Sequence, residues 1–146
     1  MLKAIFLAIF GVTAGMCLAL VLVIAVELFS SVVHPVPEDF GNTPEEMCRH
    51  VERYPAWVLA VVVPLWGLSA LASTWTARKI GRISAALIVG TLLVAAAAFN
   101  LWMLPYPIWF KVAIAISIPI ASVAGSRLAT GQIGAFAAMP IASERR

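Results

Sequence analysis

The sequence predicts an all-α membrane protein, a bundle of four transmembrane helices with a short surface helix in the first outer loop. Three observations carry this. The chain is 62% hydrophobic and 12% charged, against about 45–50% and about 25% in soluble globular domains. Its apolar residues fall into four runs, at about 4–30, 56–76, 83–104 and 108–125, parted by proline-bearing or basic stretches. One polar insert, Glu27 to Pro55, holds six of the seven acids, both histidines and one of the two cysteines. At 146 residues the whole reads as one domain.

Lys3 precedes an unbroken apolar run from Ala4 to Val26. A secretory signal has a core of about 7–15 apolar residues and a small-residue exit. This run is longer and lacks that exit, and bulky Met16 before Cys17 argues against a lipoprotein site. At about 1.5 Å per residue it crosses the roughly 30 Å hydrocarbon core. Gly11 and Gly15 within it form a G-x-x-x-G, which lets a second helix approach closely. Packing within the subunit is the expected use, with a dimer contact as the alternative. Cys17 reads as helix packing. Cys48, at a different depth, reads as a free thiol or an intermolecular bridge.

Glu27 closes the first span. Ser31 and His34 share its face at about 100° per residue, until Pro35 and Pro37 stop the helix. Thr43-Pro44-Glu45-Glu46 is the clearest local signal: a threonine cap, a proline at the first helical position and a glutamate to complete a capping box. A short surface helix is expected from Pro44 to about Arg53, inside an outer loop of residues 31–55.

The second span opens after Pro55 and is kinked at Pro64. Trp57 and Trp75 near its ends suit the two interfaces. Arg78, Lys79 and Arg82 read as a basic turn. The third span carries Gly90, an alanine run and Asn100, and a rigid Pro105-Tyr106-Pro107 turn leads to the fourth, which holds Lys111 and Pro119. The remaining segment, 127–146, is expected to be a cytoplasmic tail, poorly ordered or a helical extension. Orientation follows from the cations. With the amino end inside, Lys3, Arg78, Lys79, Arg82, Arg127, Arg145 and Arg146 are cytoplasmic, and Arg49, Arg53 and Lys111 face out. That seven-to-three split obeys the positive-inside rule and puts both termini in the cytoplasm. The net charge of +3 is sorted by membrane side with no basic run, so nucleic acid is excluded as a partner.

The P-x-P after the first span, the T-P-E-E helix start, the proline opening the second span and the Met103-Leu-Pro-Tyr-Pro-Ile-Trp-Phe110 stretch resemble a group of small four-span bacterial membrane proteins without an assigned activity. The likeness covers Glu27 to Ser126. It implies this architecture and a bacterial inner membrane, and brings no functional residue with it.

Two constellations could carry chemistry. Glu27, Asn100 and Lys111 should lie at one depth near the outer rim. A Glu27–Lys111 pair bridged by Asn100 is one expectation, and separate snorkelling to the headgroups the other. His34, Glu45, Glu46, Cys48 and His50 are ligand types for zinc or copper. Their spacing matches no established metal motif, so no metal or cofactor is expected. Nucleophile elbows, phosphate loops and zinc-protease motifs are absent from the sequence. The leading expectation is a non-enzymatic membrane protein presenting its acidic outer loop to a partner or to lipid, with self-association left open. The alternatives are a small oligomeric transporter or channel-like protein using Glu27 and Lys111, and a membrane enzyme or outer-face metal-binding protein.

Overall fold

The computed structural model describes residues 2–37 and 40–137. They form four helices, α1 (Leu2–Val33), α2 (Pro44–Glu52), α3 (Ala56–Met103) and α4 (Ile108–Ala137), with no strand among the described residues. Three are long and apolar enough to cross a membrane: α1, α3 and the Ile108–Thr130 part of α4.

The three long helices are apolar all round, and their inward faces are stripes of small residues on α1 and of small and large residues on α4. On α1 the buried residues are Gly11, Gly15, Ala19, Val26 and Ser30, a single stripe at helical spacing. On α4 the corresponding stripe is Phe110, Ile114, Ile118, Ser122 and Ala129. Bulky side chains such as Phe6, Phe10, Leu20, Leu68, Leu87, Phe99 and Ile120 stand exposed on the outside. Water would not tolerate so much apolar surface on one small chain, whereas lipid would. Between helices in lipid, close contact of small residues supplies the attraction that hydrophobicity cannot.

The second and third expected spans are the two helical arms of α3, 48 residues in all, which meet at a break at Arg82. The basic turn expected at Arg78–Arg82 narrows to a break at Arg82. Arg78, Lys79 and Ile80 stay helical, and the chain changes direction at Arg82 alone, with φ 69° and ψ −169°. A straight helix of that length would reach about 72 Å at about 1.5 Å per residue. Instead its two arms fold on each other. A Cβ added at Gly90 would lie 3.6 Å from Thr74 Cγ2, although the two residues are sixteen apart in the chain. Both α1 and α4 pack against α3.

Two apolar clusters fill the interior. Near the Arg82 bend, Ala77, Ala85 and Val89 pack with Val12 and Met16 of α1. Toward the other end, Val26, Val58, Val62, Phe110, Ile114 and Ile118 form the larger cluster, edged by Tyr54 and Tyr106. At the carboxyl end, α4 continues past Gly125 to Ala137, so the first half of the expected tail takes the helical form, one of its two expected forms. The remainder of that tail, 138–146, and the acids Glu38 and Asp39 lie outside the described residues.

Candidate functional site

The segment between α1 and α3 is folded by local chemistry. Pro35 cannot continue α1, which ends at Val33. Asn42 then takes a left-handed conformation, φ 57°, and turns the chain into Thr43. The Glu46 amide donates to Thr43 Oγ1 (3.3 Å), and the Thr43 amide donates to Glu46 Oε2 (3.4 Å). This reciprocal cap fixes where α2 begins and hence which residues turn back toward α1.

His50 is one of them. Its ring stacks on that of His34, with centroids 4.4 Å apart and planes 22° from parallel. His34 Nε2 donates to the His50 carbonyl oxygen (3.4 Å), which assigns the proton to that nitrogen. The Tyr54 ring closes the group at 4.6 Å from His34 and 5.4 Å from His50, and Phe40 borders His50 at 6.1 Å. Beside this aromatic stack lies a cavity of about 220 Å³, lined by His34, Phe40, Glu46, Arg49, His50 and Arg53 among others. Partial burial, and after it the neighbouring His34, hold the His50 imidazole below its ordinary range. The pocket offers two guanidinium groups, one carboxylate and two imidazoles.

Of the expected loop ligands, the structure brings His34, Glu46 and His50 to this pocket. Glu45 is exposed, and Cys48 is half-buried and unpaired. No group of three or more metal-type ligands gathers among the described residues.

A second cleft lies deeper, between α1, both arms of α3 and α4. It measures about 200 Å³ and is lined by Glu27, Trp66, Ser69 and Asn100 with Val23, Leu93, Ile118 and several alanines. Glu27 and Asn100 thus share one wall-to-wall space. Asn100 Oδ1 and Trp66 Nε1 are both buried without a hydrogen-bond partner. Lys111 lines the adjoining cavity, which shares Ala97 and Ile118 with the first. The charge of Glu27 is felt at the two tyrosines nearby. Burial first and Glu27 second raise both the Tyr54 and the Tyr106 hydroxyls, and a hydrogen bond with Ser30 acts the other way on Tyr54.

Gly11 and Gly15 sit against the first arm of α3. A Cβ at Gly11 would come within 2.8 Å of the Ala77 carbonyl oxygen, and one at Gly15 within 2.9 Å of Ala77 Cβ. Trp66, Ser69, Tyr54 and Tyr106 were not singled out as site residues by sequence reasoning. They lie on different elements from Glu27, and no periodic signal connects residues so far apart in the chain.

Comparison with known proteins finds no matching family, no matching curated sequence and no matching solved structure.

Proposed function

We propose that this is a non-enzymatic integral membrane protein of a bacterial inner membrane, crossing it four times through α1, the two arms of α3 and α4. Both chain ends face the cytoplasm in this reading. The 34–54 segment then emerges on the outer face, with α2 along the surface, and recognises a partner protein or a lipid headgroup there. One observation carries the reading: the pocket at the His34–His50 stack, where Glu46, Arg49 and Arg53 stand together in a segment shaped by its own cap and prolines. Mixed charge around aromatic rings is a surface for polar recognition. The resemblance to small four-span bacterial proteins agrees with the membrane assigned here. Self-association remains an outcome for the experiment.

The test uses Cys48 as the reporter after Cys17→Ser. A membrane-impermeant thiol reagent added to intact spheroplasts should label Cys48. Labelling only after the cytoplasmic side is opened would overturn the orientation. A thiol-directed crosslinker at Cys48 should yield a discrete adduct in native membranes, a dimer of the chain being one allowed product. Reversing Glu38, Asp39 and Glu45 to lysine, with the capping Glu46 kept, should deplete that adduct at unchanged protein level. No discrete adduct, or one indifferent to these charges, removes the recognition role.

A further inference from the structure

We infer that the cleft at Glu27 is a binding site for a small organic cation, a protonated primary amine with a compact apolar body. The inference stands on different residues from the outer pocket and does not depend on what that pocket recognises.

The chemistry of the wall selects the ligand. Glu27 is the single acid of the long apolar α1. A carboxylate at such a depth is expensive unless a counter-charge or hydrogen-bond donors meet it. Within the cleft the protein supplies no cation. Lys111 lines the adjoining cavity, and Arg49 and Arg53 line the outer pocket. Two further acceptors line the same space. Asn100 Oδ1 is buried with no partner. Ser69 donates its hydroxyl proton to the Leu65 carbonyl (2.8 Å), so its oxygen lone pairs remain to accept. An ammonium group has three donors and no acceptor, which matches three acceptor groups.

Buried polar atoms in native proteins are nearly always satisfied, so an orphan at a cleft wall asks for a ligand atom or water. Asn100 Oδ1 is such an orphan acceptor, whereas Trp66 Nε1, also unpartnered, is a donor that an ammonium does not engage. The rest of the lining, Val23, Leu93, Ile118 and alanines, is apolar and suits a hydrocarbon body.

Size narrows the class. The cleft holds about 200 Å³, and an apolar cavity of roughly 150 Å³ is known to take one benzene ring. A single ring or short chain bearing an amine fits that scale. Carboxylate ligands are disfavoured by Glu27. A bare calcium-like ion is poorly served, since it needs about 6–8 oxygen ligands. Glu27 is itself exposed, so the cleft can be entered from outside the bundle.

Benzylamine is the probe, titrated at pH 7.5 into the full chain in detergent and followed by tryptophan fluorescence and calorimetry. Benzyl alcohol and benzoate serve as isosteric controls. Saturable benzylamine binding is expected, at least tenfold tighter than benzyl alcohol, with no benzoate binding. Glu27→Gln should weaken the amine at least tenfold and Asn100→Ala several-fold, while Lys111→Ala leaves it unchanged. Absence of saturable amine binding, equal binding of amine and alcohol, or a folded Glu27→Gln protein with unchanged affinity overturns the assignment. Should Glu27→Gln fail to fold, Asn100→Asp decides. The added carboxylate should tighten benzylamine at least threefold, and an equal or weaker affinity overturns the site.

Discussion

The His34 and His50 rings lie 4.4 Å apart and almost parallel, and His34 also donates to the His50 backbone carbonyl. Two imidazoles so placed cannot both become cations without mutual repulsion. Protonating both rings would therefore weaken the link between His34, just past α1, and α2.

This gives a pH dependence with a definite sign. The His50 pKa is lowered in the folded state by burial and by His34. The folded segment therefore binds fewer protons than the unfolded one in the window just below the ordinary histidine value of about 6.5. Its stability is complete above that value and is lost as pH falls below it. Protection of the Val51 and Tyr54 amides, corrected for intrinsic exchange rate, should fall between pH 7 and pH 5, and His50→Gln should flatten that slope. A slope unchanged in His50→Gln would assign it elsewhere.

Glycines on the packing stripe and off it should respond in opposite ways. At Gly11 a Cβ would meet the Ala77 carbonyl oxygen at 2.8 Å, and at Gly125 it would meet the Leu71 carbonyl and Thr74 Oγ1. Gly11→Ala and Gly125→Ala should each cost about 1–3 kcal/mol through forced separation of helices. Gly67 has nothing within 4 Å of an added Cβ. Gly67→Ala should be neutral or stabilise by up to about 1 kcal/mol, since alanine is the better helix residue. Unfolding in mixed detergent and SDS, read by circular dichroism, separates the three.

The capping box can be broken at Thr43, which does not itself line the pocket. Thr43→Ala deletes the acceptor for the Glu46 amide and should destabilise α2 by about 1 kcal/mol, whereas Thr43→Ser keeps it. Faster amide exchange confined to 44–52 in the alanine variant is the expected result. Equal exchange in both variants would mean that packing at Val51, and not the cap, holds α2.

Arg82 occupies a conformation that glycine adopts far more readily, with φ 69°. Arg82→Gly should relieve this strain and raise stability by about 1 kcal/mol once the greater freedom of glycine in the unfolded chain is deducted. Arg82→Pro, whose ring demands a negative φ, should prevent the arms of α3 from folding together. Thermal unfolding of the glycine variant and the yield of folded proline variant test the two statements.

The legible parts were those with a local cause. Thr43, Pro44 and Glu46 announce the start of α2 because a cap is built from neighbours in the chain. Pro35 marks the end of α1 for the same reason. The bend was placed within a few residues and narrows to Arg82 in the structure. Arg78, Lys79 and Arg82 are charged like a loop, yet a helix tolerates arginine and lysine well, so charge alone could not distinguish a turn from a single-residue break. The reach of α4 past Gly125 was left open between a poorly ordered tail and a helical extension, because small residues read as a poor helix when the packing beneath them is unknown.

What the sequence determined by itself is that the chain is built of long apolar helices, and where several of them begin or end. Composition demands lipid around long apolar helices, and proline and capping residues set where several of them begin or end. Only the tertiary structure decided partners. That His50 meets His34, that Glu27 shares a cleft with Asn100 and Trp66 while Lys111 lines the next one, and that Thr74 lies beside Gly90, follow from how the arms of α3 fold against α1 and α4. Helices that are greasy on every side carry no stripe to announce their inner face. The face is chosen by which small residues can let two backbones close together, and that choice is made between helices and not along them.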